Sequence, residues 1–87
     1  MSQETSLRAY YTKVLPNLGK RQAQVLAVFR RNSRLNWTNM ELAAELGWSI
    51  NRVTPRVLEL RKLGALVTAT RRRCLITGNE SLAWRLA

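Results

Sequence analysis

The sequence has no histidine and no aspartate, and its acids are the five glutamates Glu4, Glu41, Glu45, Glu59 and Glu80. Without those two residue types there is no serine–histidine–aspartate triad, none of the common metal-ligand sets, and no carboxylate pair of the kind that holds two catalytic metals. An enzyme is therefore not expected, and neither is a cofactor or a metal site. The single cysteine, Cys74, excludes an internal disulfide and a cysteine-only zinc site, and it suits a reducing compartment or an indifferent one. The opening Met-Ser-Gln-Glu-Thr has neither the basic region nor the apolar core of an export signal. The longest apolar run is the five residues Val25 to Phe29, far short of a bilayer span. A cytoplasmic location with no membrane partner is expected. Only Pro16 and Pro55 interrupt the chain, and no repeat or long linker appears.

Against those absences stands a large cationic excess. Fifteen Lys and Arg oppose five Glu, for a net charge of +10, and twelve of the fifteen are Arg. Apolar residues make up 46% of the 87, which is enough to fold one domain and too little chain for two cores. A folded basic domain needs a polyanion, and the planar fork of arginine suits phosphate and guanine better than a lysine-rich solubility surface would. The bland alternative is a solvated basic face; charge and arginine bias favour nucleic acid over it.

The pattern along the chain predicts mostly helix. Leu7, Tyr10, Tyr11, Val14 and Leu15 have the spacing of a short amphipathic helix over 6–15, ended by Pro16-Asn17-Leu18-Gly19, so residues 1–18 read as a lead-in and 19–87 as the domain. Lys20 to Arg31 places Gln22, Val25, Leu26 and Phe29 on one side, and Asn32-Ser33-Arg34 stops it. Leu35-Asn36-Trp37 is long enough only for a connecting strand. Thr38 followed by Glu41 is a capping box, opening a short helix with Leu42, Ala43 and Leu46 inward and Gly47 as its left-handed end. Ser49 is positioned to cap a further helix through Leu63, with Val53, Val57 and Leu60 inward and Gly64 as terminator. Pro55 either sits inside that helix or begins a shorter one capped by Thr54; the continued apolar face at Val53 favours the longer helix. Leu66 to Thr70 then reads as a strand, Arg71-Arg72 as a turn, Arg73 to Thr77 as a return strand and Gly78-Asn79 as a second turn. Leu82, Trp84 and Leu86 alternate inward on a last strand. The pattern leaves open whether the projecting tip is at Arg71-Arg72 or at Gly78-Asn79.

Helix, short turn, helix and hairpin, in that order, resemble a winged helix-turn-helix. The stretch Thr38-Asn39-Met40-Glu41-Leu42-Ala43-Ala44-Glu45-Leu46-Gly47 looks like its second helix. Ser49-Ile50-Asn51-Arg52-Val53-Thr54 through Leu60-Arg61-Lys62-Leu63-Gly64-Ala65-Leu66-Val67 looks like its recognition helix leading into the wing. The likeness covers about Lys20 to Leu86 and extends to the MarR-like regulators and to the small winged-helix proteins of phages and mobile elements. Arg73-Cys74-Leu75-Ile76-Thr77-Gly78, closing on Trp84-Arg85-Leu86, is most similar to the phage type. The chain departs from the pattern in carrying Pro55 within the reading helix and in lacking the long flanking helices of MarR-like dimers.

The resemblance implies an α+β, mainly α fold of three helices with a C-terminal hairpin wing and a short N-terminal helix. It also implies double-stranded DNA as partner, a nucleoid-associated location and a possible homodimer. At 100° per residue the outer side of the third helix holds Asn51, Arg52, Pro55, Leu58, Glu59 and Lys62, with Ser49 at its start and Thr54 and Arg56 at its edges. Asn51 suits adenine and Arg52 suits guanine, each for about 1–3 kcal/mol of discrimination. At a hairpin tip, Arg71, Arg72 and Arg73 would grip backbone phosphates or enter a minor groove, or else only keep a strand edge soluble, and Asn39 at a helix N-terminus would clamp a phosphate. Leu58 either touches a thymine methyl or packs on the wing. Cys74 reads as an inert thiol in a strand. A transcriptional regulator is the leading expectation. An architectural, excision or replication accessory factor and a protein-interaction module are the rivals.

Overall fold

A computed structural model of the chain describes residues 18–31 and 35–87. The expected lead-in helix and the Asn32-Ser33-Arg34 stop lie outside the described residues. Among those described there are three helices, α1 (Lys20–Arg31), α2 (Asn39–Leu46) and α3 (Ile50–Lys62), followed by an antiparallel hairpin of β1 (Leu66–Arg73) and β2 (Glu80–Leu86). The fold is thus α+β, as expected. None of these helices is long and apolar enough to cross a membrane.

Periodicity accounts for the helices. α1 buries Val25, Leu26, Val28 and Phe29, one position more than the predicted stripe, because β2 and α2 both reach it as well as α3. Gln22 closes its N-terminus, accepting from the Gly19 N–H at 3.0 Å, and its amide donates to Glu59 on α3 at 2.8 Å. α2 opens with the predicted capping box: Glu41 N–H donates to the Thr38 hydroxyl and Thr38 N–H to the Glu41 carboxylate, both at 3.2 Å. It ends at Gly47, whose φ of 69° lets the Trp48 N–H turn back to the Ala43 carbonyl at 3.0 Å. Only Gly47, Trp48 and Ser49 separate α2 from α3.

α3 is one continuous helix with Pro55 inside it, burying Val53, Val57 and Leu60. Three packed anchors on the inner face hold the helix through a position where the ring removes a backbone donor. Ser49 occupies the N-cap position with extended backbone, but its side chain makes no capping bond. The backbone N–H groups of Arg52 and Val53 reach the Ser49 carbonyl instead.

The hairpin corrects the strand pattern in two ways. β1 runs unbroken through Arg71 and Arg72 to Arg73, pairing Arg71 with Leu82, Arg72 with Ser81 and Arg73 with Glu80. The chain therefore reverses over residues 74–79, and Arg71-Arg72 is strand rather than turn. The expected Arg73-to-Thr77 return strand is that reversal itself, held by Cys74 N–H on the Asn79 carbonyl and Gly78 N–H on the Cys74 carbonyl. Second, Ala83 and Trp84 are both buried while Leu82 is exposed, so the alternation of Leu82, Trp84 and Leu86 fails at Leu82. A bulge in β1 between Thr68 and Thr70 twists the ribbon, and the covered face changes from Trp84 and Leu86 to Ala83 and Ser81. Trp37 bridges Trp84 through paired backbone hydrogen bonds of 2.9 and 2.8 Å, which is the whole extent of the connecting strand.

Candidate nucleic-acid interface

The outer flank of α3 stands clear of the rest of the described chain. Asn51, Arg52, Thr54, Pro55, Leu58 and Lys62 are all exposed, as is Ser49 before them. They share a side because Val53, Val57 and Leu60 fix the rotation of the helix against α1 and α2. Trp48, in the turn before α3, lies under the Arg52 guanidinium at 5.8 Å. A cation over an indole face gives Arg52 a resting position beside the start of the helix without consuming its hydrogen-bond donors.

Arg56 differs. Its Nε and Nη2 donate to the two oxygens of Glu59 at 2.8 and 2.9 Å, and Glu59 also accepts from Gln22. The Arg56 fork together with Gln22 holds the Glu59 carboxyl below its ordinary pKa. Arg56 thus spends one edge of its fork within α3, on the carboxylate that Gln22 joins to α1, rather than presenting that edge to a phosphate.

The three hairpin arginines also separate. Arg72 uses all five of its N–H donors inside the molecule: to Glu41 twice at 2.7 Å, to the Asn36 side chain at 2.7 Å, and to the Asn36 and Arg73 carbonyls at 3.0 Å. Glu41 in turn accepts four hydrogen bonds, two from Arg72 and one each from the Leu75 and Thr38 N–H groups. The Arg72 bonds, outweighing the burial that opposes them and helped by both backbone N–H groups, bring the Glu41 pKa down from 4.5 to about 2. The same pair raises the pKa of Arg72. Arg71 and Arg73 are exposed; Arg71 lies 3.6 Å from Glu80 in a surface pair that is worth little.

Asn39 turns toward the hairpin: its side-chain oxygen accepts from the Trp84 indole N–H at 2.8 Å. A face of that indole carries a cation missed in the sequence, Arg61, whose guanidinium lies over the Trp84 ring at 4.2 Å while its residue remains exposed. Nothing local announces this contact, since the two residues are on different elements. Lys62 was legible from its place on the outer stripe. Cys74 is buried with its sulfur 3.1 Å from the Thr38 hydroxyl. Burial pushes the thiol pKa up, but the Thr38 hydroxyl, the Thr77 and Ile76 N–H groups and the Thr77 side chain together hold it below its ordinary value.

A groove of about 470 Å³ opens between α2 and the hairpin turn, lined by Leu35, Trp37, Ala44, Leu75 and Ile76. Its charged members are Glu45 and the Glu41–Arg72 pair, so it offers no spare cation and does not extend the surface around α3.

Compared with known proteins, the chain matches no family model and no curated protein.

Proposed function

We propose that the protein binds double-stranded DNA as a winged helix-turn-helix, with α3 lying in the major groove and the hairpin as the wing, and that it acts as a sequence-specific regulator. The observation that carries this reading is the outer flank of α3: a helix anchored on its inner side, exposed on its other, and bearing Asn51 and Arg52 in its first turn in a chain of net charge +10. The first turn of such a helix reaches base edges most readily, and Asn and Arg are the side chains that pair bidentately with adenine and guanine. Arg73 and Lys62 supply exposed cations for the phosphates. Arg72 and the Arg56–Glu59 pair serve the frame that presents this surface, and Asn39, its oxygen held by Trp84, offers its amide N–H groups to a phosphate. A single module covers about 600–1,000 Å², so a symmetric dimer on half-sites roughly 34 Å apart fits the same reading.

Selection of bound duplexes from a random pool tests it, run with wild type and with the double variant Asn51→Ala, Arg52→Ala. Wild type is expected to enrich a defined sequence, and the double variant to lose at least one position of it. Equal enrichment by both proteins refutes the assignment of Asn51 and Arg52. Tight binding without enrichment replaces the regulator with an architectural factor of the same fold.

A further inference from the structure

The outer flank of α3 is not uniformly polar. Between Arg52 and Lys62 its exposed positions include Pro55 and Leu58, and Leu58 keeps 45% of its surface open to solvent. Residues three apart on a helix are neighbours, so the pair forms one small apolar ledge. Both residues are odd choices for a helix face that meets only water. A proline in a helix interior costs about 3 kcal/mol relative to alanine, and a leucine there gains nothing from solvent. Leu58 is open enough to meet a ligand, one of the two roles its position allows.

The surroundings narrow the occupant. A protein partner needs roughly 800 Å² per side with few charges at the centre, whereas this ledge is two residues wide and bracketed by Arg52 and Lys62. Cations at both ends fit a polyanion. Within the major groove, the apolar group on a base edge is the C5-methyl of thymine. Arg52 to Pro55 and Pro55 to Leu58 each advance about 4.5 Å along the helix at ~1.5 Å per residue, against a base-pair rise of roughly 3.4 Å. The ledge therefore spans about two consecutive pairs next to those within reach of Asn51 and Arg52.

We propose that Pro55 and Leu58 form a thymine-reading ledge, so that the bound sequence carries thymine methyls beside the pairs read by Asn51 and Arg52. The inference rests on the DNA-binding reading above and adds the base class that the middle of α3 selects.

Deoxyuridine in place of single thymines deletes the methyl and keeps every hydrogen-bonding group. In the selected duplex, uridine at two positions adjacent to those lost by the Asn51→Ala, Arg52→Ala variant should weaken binding about fourfold each, the equivalent of ~0.8 kcal/mol for one buried methyl group. Uridine elsewhere should have no effect. Leu58→Ala, at an exposed position and checked by its melting curve, should abolish the penalty at one of these positions, and Pro55→Ala should abolish it at the other. A duplex that is bound but tolerates uridine everywhere overturns the ledge and leaves DNA binding standing. Penalties that persist unchanged in both variants also overturn it. Failure to bind any duplex removes the underlying reading and the ledge with it.

Discussion

Arg72 spends its whole guanidinium on Glu41, Asn36 and a neighbouring carbonyl, whereas Arg73, one residue on, is exposed. A run of three arginines reads locally as one cationic feature. What divides it is the alternation of the strand, which turns Arg72 toward α2, and a carboxylate 31 positions away that no local pattern reveals. Asn39 likewise reads locally as a phosphate clamp; its oxygen accepts from Trp84, 45 positions distant, which leaves that role to its amide N–H groups. The Glu41–Arg72 pair has a consequence for acid stability. Folded Glu41 takes up its proton only near pH 2, while in the unfolded chain it does so near 4.5. Between those values the unfolded state holds more protons, so the contribution is complete above about pH 4.5 and is lost as pH falls through about 2. Glu41→Gln should therefore be less stable than wild type at neutral pH by about 2–3 kcal/mol, and the gap should close as pH falls through this window. Denaturant melts of both proteins at several pH values measure it. Parallel curves would contradict it, and because Glu59 titrates in both proteins, the difference isolates Glu41.

At the scale of elements, the helices were legible because their signals are local. The stripe of α1, the Thr38–Glu41 capping box and Gly47 each lie within a few residues of what they specify. The hairpin was less so. Its tip depends on where Glu41 and the Leu75 N–H meet, and its inward face depends on a bulge, neither of which the period-2 pattern carries. Pro55 tests what holds α3 together. If Val53, Val57 and Leu60 maintain the helix despite the missing donor, Pro55→Ala restores that donor on an exposed position and should raise stability by about 1–2 kcal/mol after the larger entropy of the unfolded chain is allowed for. For a domain of this size that is roughly 4–8 °C in Tm per kcal/mol. A lower Tm would mean that the ring itself packs on something the helix needs.

For the whole molecule, the cationic surplus is spread over sequence and sorted by structure. Arg72 and Arg56 are committed to Glu41 and Glu59, which leaves Arg52, Lys62 and Arg73 among the exposed cations, with Arg61 held against Trp84 and still exposed. That sorting makes the central claim, a DNA-binding face built around α3, measurable through salt. Each phosphate neutralised adds about −0.9 to the slope of log affinity against log salt. Titration of a labelled selected duplex at rising salt should give a slope of roughly −4, corresponding to between four and five phosphate contacts. Arg73→Ala should reduce its magnitude by about 1, and Arg72→Ala should leave it unchanged in whatever fraction remains folded. A slope near zero, or no association with any duplex in dilute buffer, would contradict the account.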